Sequence, residues 1–323
     1  MQGVPTPNSS AIRRRDNAAD GVSPPRTGVR WLFNGLPGRK EEESVHTEYR
    51  RYRGLAQRIS DGLPVEVLGK EAGPTVLLLH GWGSSMAHMR PLARLLATDF
   101  RVVMLDFPGH GSAPEPAEPW DMDRHADLVQ AVIDEHTDGP VLVVGHSNGG
   151  RIALFTMARP STPDRVRALL LLGPSGTRRP RRPSWYLKTA LARTLKAPFA
   201  ILPRPLRDFG LDWLRHSLLW RALSSSDYAA TSGVMRETFI RCVNTYLENV
   251  LPRVGTPTVI LRGAHDEAIT PAQIDTMVRL LPDAGAHEVE GAGHYVQLDA
   301  PDIVAAAVRD LASRLEMQPM YTP

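Results

Sequence analysis

The sequence predicts an α/β fold: a doubly wound, mostly parallel sheet with helices on both faces and a helical insertion over the carboxyl ends of its strands. Three observations predict it. From about residue 46 onward, short continuous apolar runs alternate with helical patterns, and strands buried on both faces of a parallel sheet read in this way. Between about 175 and 250 the alternation stops and the pattern becomes largely helical. The chain, with 323 residues of which 42% are apolar, is long enough for one such sheet and an insertion.

Residues 1–45 are rich in Pro, Gly, Ser and Arg and end in the charge run Arg39-Lys40-Glu41-Glu42-Glu43. Such a segment buries too little apolar surface to offset its ordering entropy, so a disordered tail is expected. Within it, Trp31-Leu32-Phe33 reads as a short contact onto the domain surface. The core is expected over 46–174 and 251–323. Its strands are predicted at 65–68, 76–80, 101–106, 141–145, 168–172, 258–261 and 287–290. Helices are predicted at about 86–97, 122–136, 148–159, 271–281 and 301–315. Pro91, Pro271 and Pro301 fall near helix starts, the last two in positions that suit a first turn. An all-helical stretch between two parallel strands, here 175–250 with Trp185, Tyr186, Trp213, Trp220 and Tyr228, is the pattern of a cap or lid.

Composition removes several classes of function. The net charge is +3, and lysine occurs only at Lys40, Lys70, Lys188 and Lys196, so the basic residues are almost all arginine. Nucleic-acid binding would need them concentrated in a stripe, and no nucleic-acid partner is expected. Cys242 is the one cysteine, which excludes an intrachain disulfide. The start of the chain has no apolar run of the kind a secretion signal carries, and Arg13-Arg14-Arg15 is followed by Asp16-Asn17. No stretch approaches the roughly 18 apolar residues of a membrane span. A soluble, cytoplasmic protein without stable membrane insertion is expected.

The strongest local signal is Gly145-His146-Ser147-Asn148-Gly149-Gly150, directly after the predicted strand at 141–145 and at the start of the next helix. This is G-x-S-x-G in the strand–turn–helix setting that lifts a serine above the sheet. A serine hydroxyl needs a base, and His294 in Gly291-Ala292-Gly293-His294-Tyr295 lies on a loop after a late strand. The imidazole needs an acid that fixes its tautomer. Asp266 leaves the carboxyl end of the strand at 258–261 and is too far upstream to cap the helix near Pro271. The chain order Ser147, Asp266, His294 is the one stated for this arrangement. Oxyanion donors are expected from the backbone N–H groups of Trp82, in the loop His80-Gly81-Trp82-Gly83, and of Asn148.

With these segments in place, residues from about 60 to 315 resemble the α/β-hydrolase superfamily. The resemblance is to its capped branch, similar to carboxylesterases and meta-cleavage-product (C–C bond) hydrolases. The matching segments are His80-Gly81-Trp82-Gly83, Asp106-Phe107-Pro108-Gly109-His110-Gly111, the serine turn, Gly263-Ala264-His265-Asp266 and Gly293-His294. The resemblance implies the fold, the triad and a helical cap, but no particular substrate. Asn148 departs from it, since such proteins often carry an apolar residue such as Met there. A serine nucleophile argues against the epoxide hydrolases and haloalkane dehalogenases, which use an aspartate.

The remaining histidines read as structural. His110 and His146 belong to loop motifs, while His46, His88, His125, His136, His216 and His287 form no metal-ligand spacing, so no metal and no cofactor are expected. Asp106 is expected to organise the turn after its strand. Arg178-Arg179-Pro180-Arg181-Arg182-Pro183 reads as a solvated hinge to the cap, with an anion-docking strip as the alternative. The expected activity is hydrolysis of a carboxylic ester of a partly apolar small molecule through an acyl-enzyme. The alternatives are C–C bond cleavage in a vinylogous diketone by the same triad, a non-catalytic ligand binder on this fold, and an interaction role of residues 1–45. The acyl group, leaving group and oligomeric state are not legible.

Overall fold

A computed structural model describes residues 12–14, 62–160, 164–179 and 231–315, with a few single positions between 180 and 230. Its strands are β1 (Ile12–Arg14), β2 (Val65–Gly69), β3 (Thr75–Leu79), β4 (Arg101–Leu105), β5 (Val141–His146), β6 (Val166–Leu172), β7 (Thr258–Gly263) and β8 (Ala284–Val289). They form one sheet in the order β1-β8-β7-β6-β5-β3-β4-β2. The six strands from β8 to β4 run parallel, and β1 and β2 close the two edges antiparallel. The helices are α1 (Met86–Leu96), α2 (Met122–His136), α3 (Asn148–Met157), α4 (Gly233–Asn244), α5 (Pro271–Leu280), α6 (Val296–Asp299) and α7 (Pro301–Arg314).

The continuous apolar strands follow from covering both faces. Successive residues of a strand point to opposite sides. Leu77, Leu79, Val143, Leu169 and Leu171 therefore join a core with α2, α3 and α5. Their neighbours Val76, Leu78, Leu142, Val144 and Leu170 join a second core with α1 and α7. Every residue of β3 and β5 is buried.

Helix starts follow local chemistry. Asp121 Oδ1 accepts the Arg124 amide (3.0 Å) ahead of α2, and Thr270 with Gln273 forms a capping box at α5. Pro271 and Pro301 occupy first turns, where the missing N–H costs nothing. Pro91, expected near a helix start, lies inside α1. Ser85, whose side chain accepts the Ala87 amide (3.3 Å), starts that helix instead.

Of the expected tail 1–45, only β1 is described, paired with β8 through Ile12↔Val289 and Arg14↔His287; Trp31-Leu32-Phe33 lies outside the described residues. Of the expected cap, the structure describes 175–179, 231–250 and a few single positions between them. The chain returns through α4 and a 3-10 turn (Leu251–Arg253) into β7. No described helix is long and apolar enough to cross a membrane.

Candidate active site

β5 ends at His146, and Ser147 turns the chain directly into α3 with φ 50° and ψ −110°. It is the one non-glycine residue with positive φ among the described residues. Such a backbone costs on the order of 1–3 kcal/mol and persists only where its surroundings hold it. Here the Ser147 amide donates to Leu172 O (3.0 Å), and its carbonyl accepts the amides of Arg151 and Ser175 (3.1 Å each). The turn also needs its glycines: a Cβ on Gly145 would stand 2.7 Å from Gly150 Cα, and one on Gly149 would collide with Leu79 O.

Asp266 and His294 meet beside this turn. His294 Nδ1 lies 2.9 Å from Asp266 Oδ2, and the Asp266 side chain is fully buried while that of His294 remains 21% exposed. The other carboxylate oxygen, Oδ1, accepts the amides of Ala268 (2.8 Å) and Ile269 (2.9 Å). Burial pushes the Asp266 carboxyl up, but the hydrogen bonds from His294 and the two amides, with the His294 charge, outweigh it and hold the group below its ordinary range. An ionised acceptor at Oδ2 assigns the proton to His294 Nδ1 and leaves Nε2 as the basic nitrogen.

Several residues that hold this pair were not singled out from the sequence. Arg262, at the end of β7, is buried; it donates to Asp266 O (2.8 Å) and Ile269 O (2.9 Å) and pairs with Glu288 Oε2 (2.9 Å), so one guanidinium clamps the acid's loop to β8. Gly173, at φ +48°, lies so close that a Cβ would stand 2.8 Å from Asp266 Oδ2 and 3.3 Å from His294 Nδ1. Asp299 accepts the Gly293 amide (2.8 Å) and ties down the histidine loop. Arg262 and Glu288 stand cross-strand at the ends of β7 and β8, a pairing that only the sheet register brings about. His146 joins the nucleophile's strand to the base's loop: its Nε2–H donates to His294 O (3.0 Å), and the two rings stand 4.9 Å apart.

The loop after β3 lies against the same turn, since a Cβ on Gly81 would stand 3.2 Å from Ser147 Cβ. His80 fixes that loop: Nδ1–H donates to Gly81 O (2.8 Å) and Nε2 accepts the Phe107 amide (3.0 Å). Burial pushes its pKa down to about 4, so the ring is neutral and can both donate and accept. Asp106 organises the turn after β4, accepting the amides of Met86 (2.7 Å) and Ser112 (2.9 Å). Trp82 stands half-buried next to Gly81, and Asn148 opens α3, where a first-turn amide has no intrahelical acceptor. Ser147, Asp266, His294, Trp82 and Asn148 thus all lie at the carboxyl edge of the parallel strands. Arg178 donates its amide to Glu248 Oε1 (2.8 Å) and lies over the Tyr246 ring (4.4 Å). Arg181 and Arg182 lie outside the described residues.

Residues 74–301 match the family described as alpha/beta hydrolase fold. The chain is 30% identical over 292 residues to a Mycobacterium tuberculosis protein named probable oxidoreductase EphD, an alignment covering 78% of this chain and 48% of that protein. It therefore spans about half the length of that relative. It is 33% identical over 271 residues to the pimeloyl-(acyl-carrier protein) methyl ester esterase of Chromobacterium violaceum, covering 79% of this chain and 98% of that one. Among solved structures, the enol-lactonase of Burkholderia xenovorans LB400 superposes with a TM-score of 0.57 at 22% identity, covering 78% of this chain and 96% of that one.

Proposed function

The chain belongs to the alpha/beta hydrolase fold family, and from that premise we propose that it is a serine hydrolase of carboxylic esters. The observation that carries this reading is the 2.9 Å bond between His294 Nδ1 and Asp266 Oδ2 beside the strained Ser147 turn. In the proposed reaction His294 Nε2 takes the Ser147 proton as Oγ attacks the ester carbonyl carbon. The amides of Trp82 and Asn148 receive the oxyanion. His294 then protonates the departing alkoxide, and water repeats the sequence on the acyl-enzyme to release the acid. The indole of Trp82 and the ring of Phe239, 5.1 Å apart beside the oxyanion loop, support a partly apolar small-molecule substrate. Residues 175–250 are proposed to form the cap over the site, with Arg178 at its base. The named esterase relative supports ester chemistry, while its particular substrate stays with that protein.

The test is a panel of p-nitrophenyl esters of increasing acyl length, with a ring-fission dienone alongside. An ester leaves as an alkoxide that His294 protonates directly, whereas C–C cleavage must first protonate a dienol carbon. Short or medium acyl esters are expected to be turned over and the dienone to be a poor substrate. A kcat/KM for the dienone well above that for every ester would replace the esterase reading with C–C bond hydrolysis.

A further inference from the structure

α4 is the first helix with described bounds after residues 180–230 and the last before the chain re-enters the sheet at β7. Its buried residues are Met235, Thr238, Phe239 and Cys242, and this spacing places the four on one stripe. Cys242 joins one of the sheet's two cores, but Met235 and Phe239 join neither. Their partners are the loops after β3 and β4. The Met235 thioether fills the space above Gly109, where a Cβ would collide with it. Thr238 Oγ1 accepts the Trp120 amide (3.0 Å), and Arg241 reaches Pro119 O (3.0 Å). The Phe239 ring stands 5.1 Å from the Trp82 indole, and the His110 ring meets the same indole edge-on at 4.7 Å.

Trp82 is flanked by Gly81 and Gly83, the latter at φ +67°. The Trp82 N–H shares a peptide plane with Gly81 O, which accepts from His80 Nδ1–H (2.8 Å) and the Ser84 amide (3.3 Å), and the indole is a further hold on that peptide from the Trp82 side. His110 meets the indole from the loop after β4 and Phe239 from α4. From this geometry we infer that Phe239 is a positioning residue. Acting through the Trp82 ring, it shares with His80 in fixing the direction of the Trp82 amide and so couples α4 to stabilisation of the oxyanion. The inference rests on the assignment of the Trp82 amide to the oxyanion hole.

The test uses the full chain with Phe239→Ala, Phe239→Leu and, as a control, Ile240→Ala at the exposed neighbouring position. Two quantities are read on folded protein: kcat and KM for the best ester, and affinity for a trifluoromethyl ketone. Ser147 Oγ adds to the ketone carbon, its proton passes to His294, and the former carbonyl oxygen becomes an oxyanion in the hole. Removing an oxyanion donor outright costs on the order of 100- to 1000-fold in kcat, and a misaimed donor is expected to cost about tenfold or more. Phe239→Ala should therefore lower kcat and ketone affinity in parallel by about that factor with KM within about twofold. Phe239→Leu should recover part of both, and Ile240→Ala should change neither. A purely structural role would lower stability but leave these quantities unchanged on the folded fraction. Unchanged kcat and ketone affinity in Phe239→Ala, or a loss confined to KM, would overturn the inference. If that variant does not fold, Phe239→Leu is judged by the same criterion. A wild-type protein that turned over esters without forming a ketone adduct would overturn the oxyanion assignment and the coupling with it. A wild-type protein that did neither would bring down the serine-hydrolase reading itself.

Discussion

Asp266 divides two tasks between its two oxygens: Oδ1 takes the loop amides and Oδ2 faces His294. A group in which orientation and charge are both fixed acts with its partners as a unit, and effects within a unit are not additive. Ser147→Ala and His294→Ala are each expected to abolish ester turnover without loss of fold, and the double variant to be no slower than either, as single-turnover kinetics on the three proteins would measure. The buried histidines set the pH response of stability. Burial pushes His80 and His125 down to about 4, and His146 to about 3 with help from the neighbouring His294. In the unfolded chain each titrates near 6.5, so between these limits the unfolded state binds more protons and gains on the native state. The stability these neutral rings contribute is fully present above about pH 6.5 and is lost as pH falls through about 4. Asp266, held below its ordinary range, adds a further loss only as pH falls below about 4. Thermal melts from pH 8 to 4 should show Tm falling from about pH 6.5 downward; a Tm flat to pH 4 would contradict the burial of these rings as neutral groups.

Elements joined by local chemistry were legible from the sequence, and those joined at a distance were not. The apolar runs and the first-turn prolines located β3 to β7 and the starts of α5 and α7, because they report burial and backbone geometry within a few residues. The stretch that became β8 was expected at 287–290 and extends over Ala284–Val289, since Ala284-Gly285-Ala286 has little apolar signature of its own and is drawn into the sheet by pairing with β7. Pro91, read as lying near a helix start, falls within the helix expected at about 86–97, and α1 continues through it, held by Met89, Leu92, Ala93 and Leu96 in the core. Arg262 and Gly173 were not singled out for the same reason: their partners, Asp266 and Glu288 for one and Asp266 and His294 for the other, meet them only in the fold. The junction after β6 should accordingly be sensitive. Gly173→Ala places a Cβ 2.8 Å from Asp266 Oδ2 at a φ of +48°, so it is expected to lower kcat at least tenfold, on the order of what a misplaced catalytic group costs. Unaltered kcat in a folded Gly173→Ala protein would show that the acid and base tolerate displacement.

At the scale of the whole molecule, the parallel strands deliver the candidate site residues to one edge. β3 leads to His80-Gly81-Trp82, β5 to Ser147, β6 to Gly173, β7 to Asp266 and β8 to His294. Strands aligned in register, Leu79↔Gly145 and His146↔Leu172, bring loops that are far apart in sequence within hydrogen-bonding distance, and ligand sites of open α/β sheets lie at that edge. The fold could therefore be read from the alternation of apolar strands and helices, and five candidate site residues from loop motifs at the strand ends, whereas the proposed substrate selectivity rests on residues 175–250, whose pattern carries no such positional rule. The central claim is that this edge activates one serine. An organophosphonate probe applied to the folded protein, followed by peptide mapping, tests it most directly: a single adduct is expected at Ser147, absent in heat-denatured protein and strongly slowed in His294→Ala. An adduct on another residue, or none on the folded protein, would contradict it.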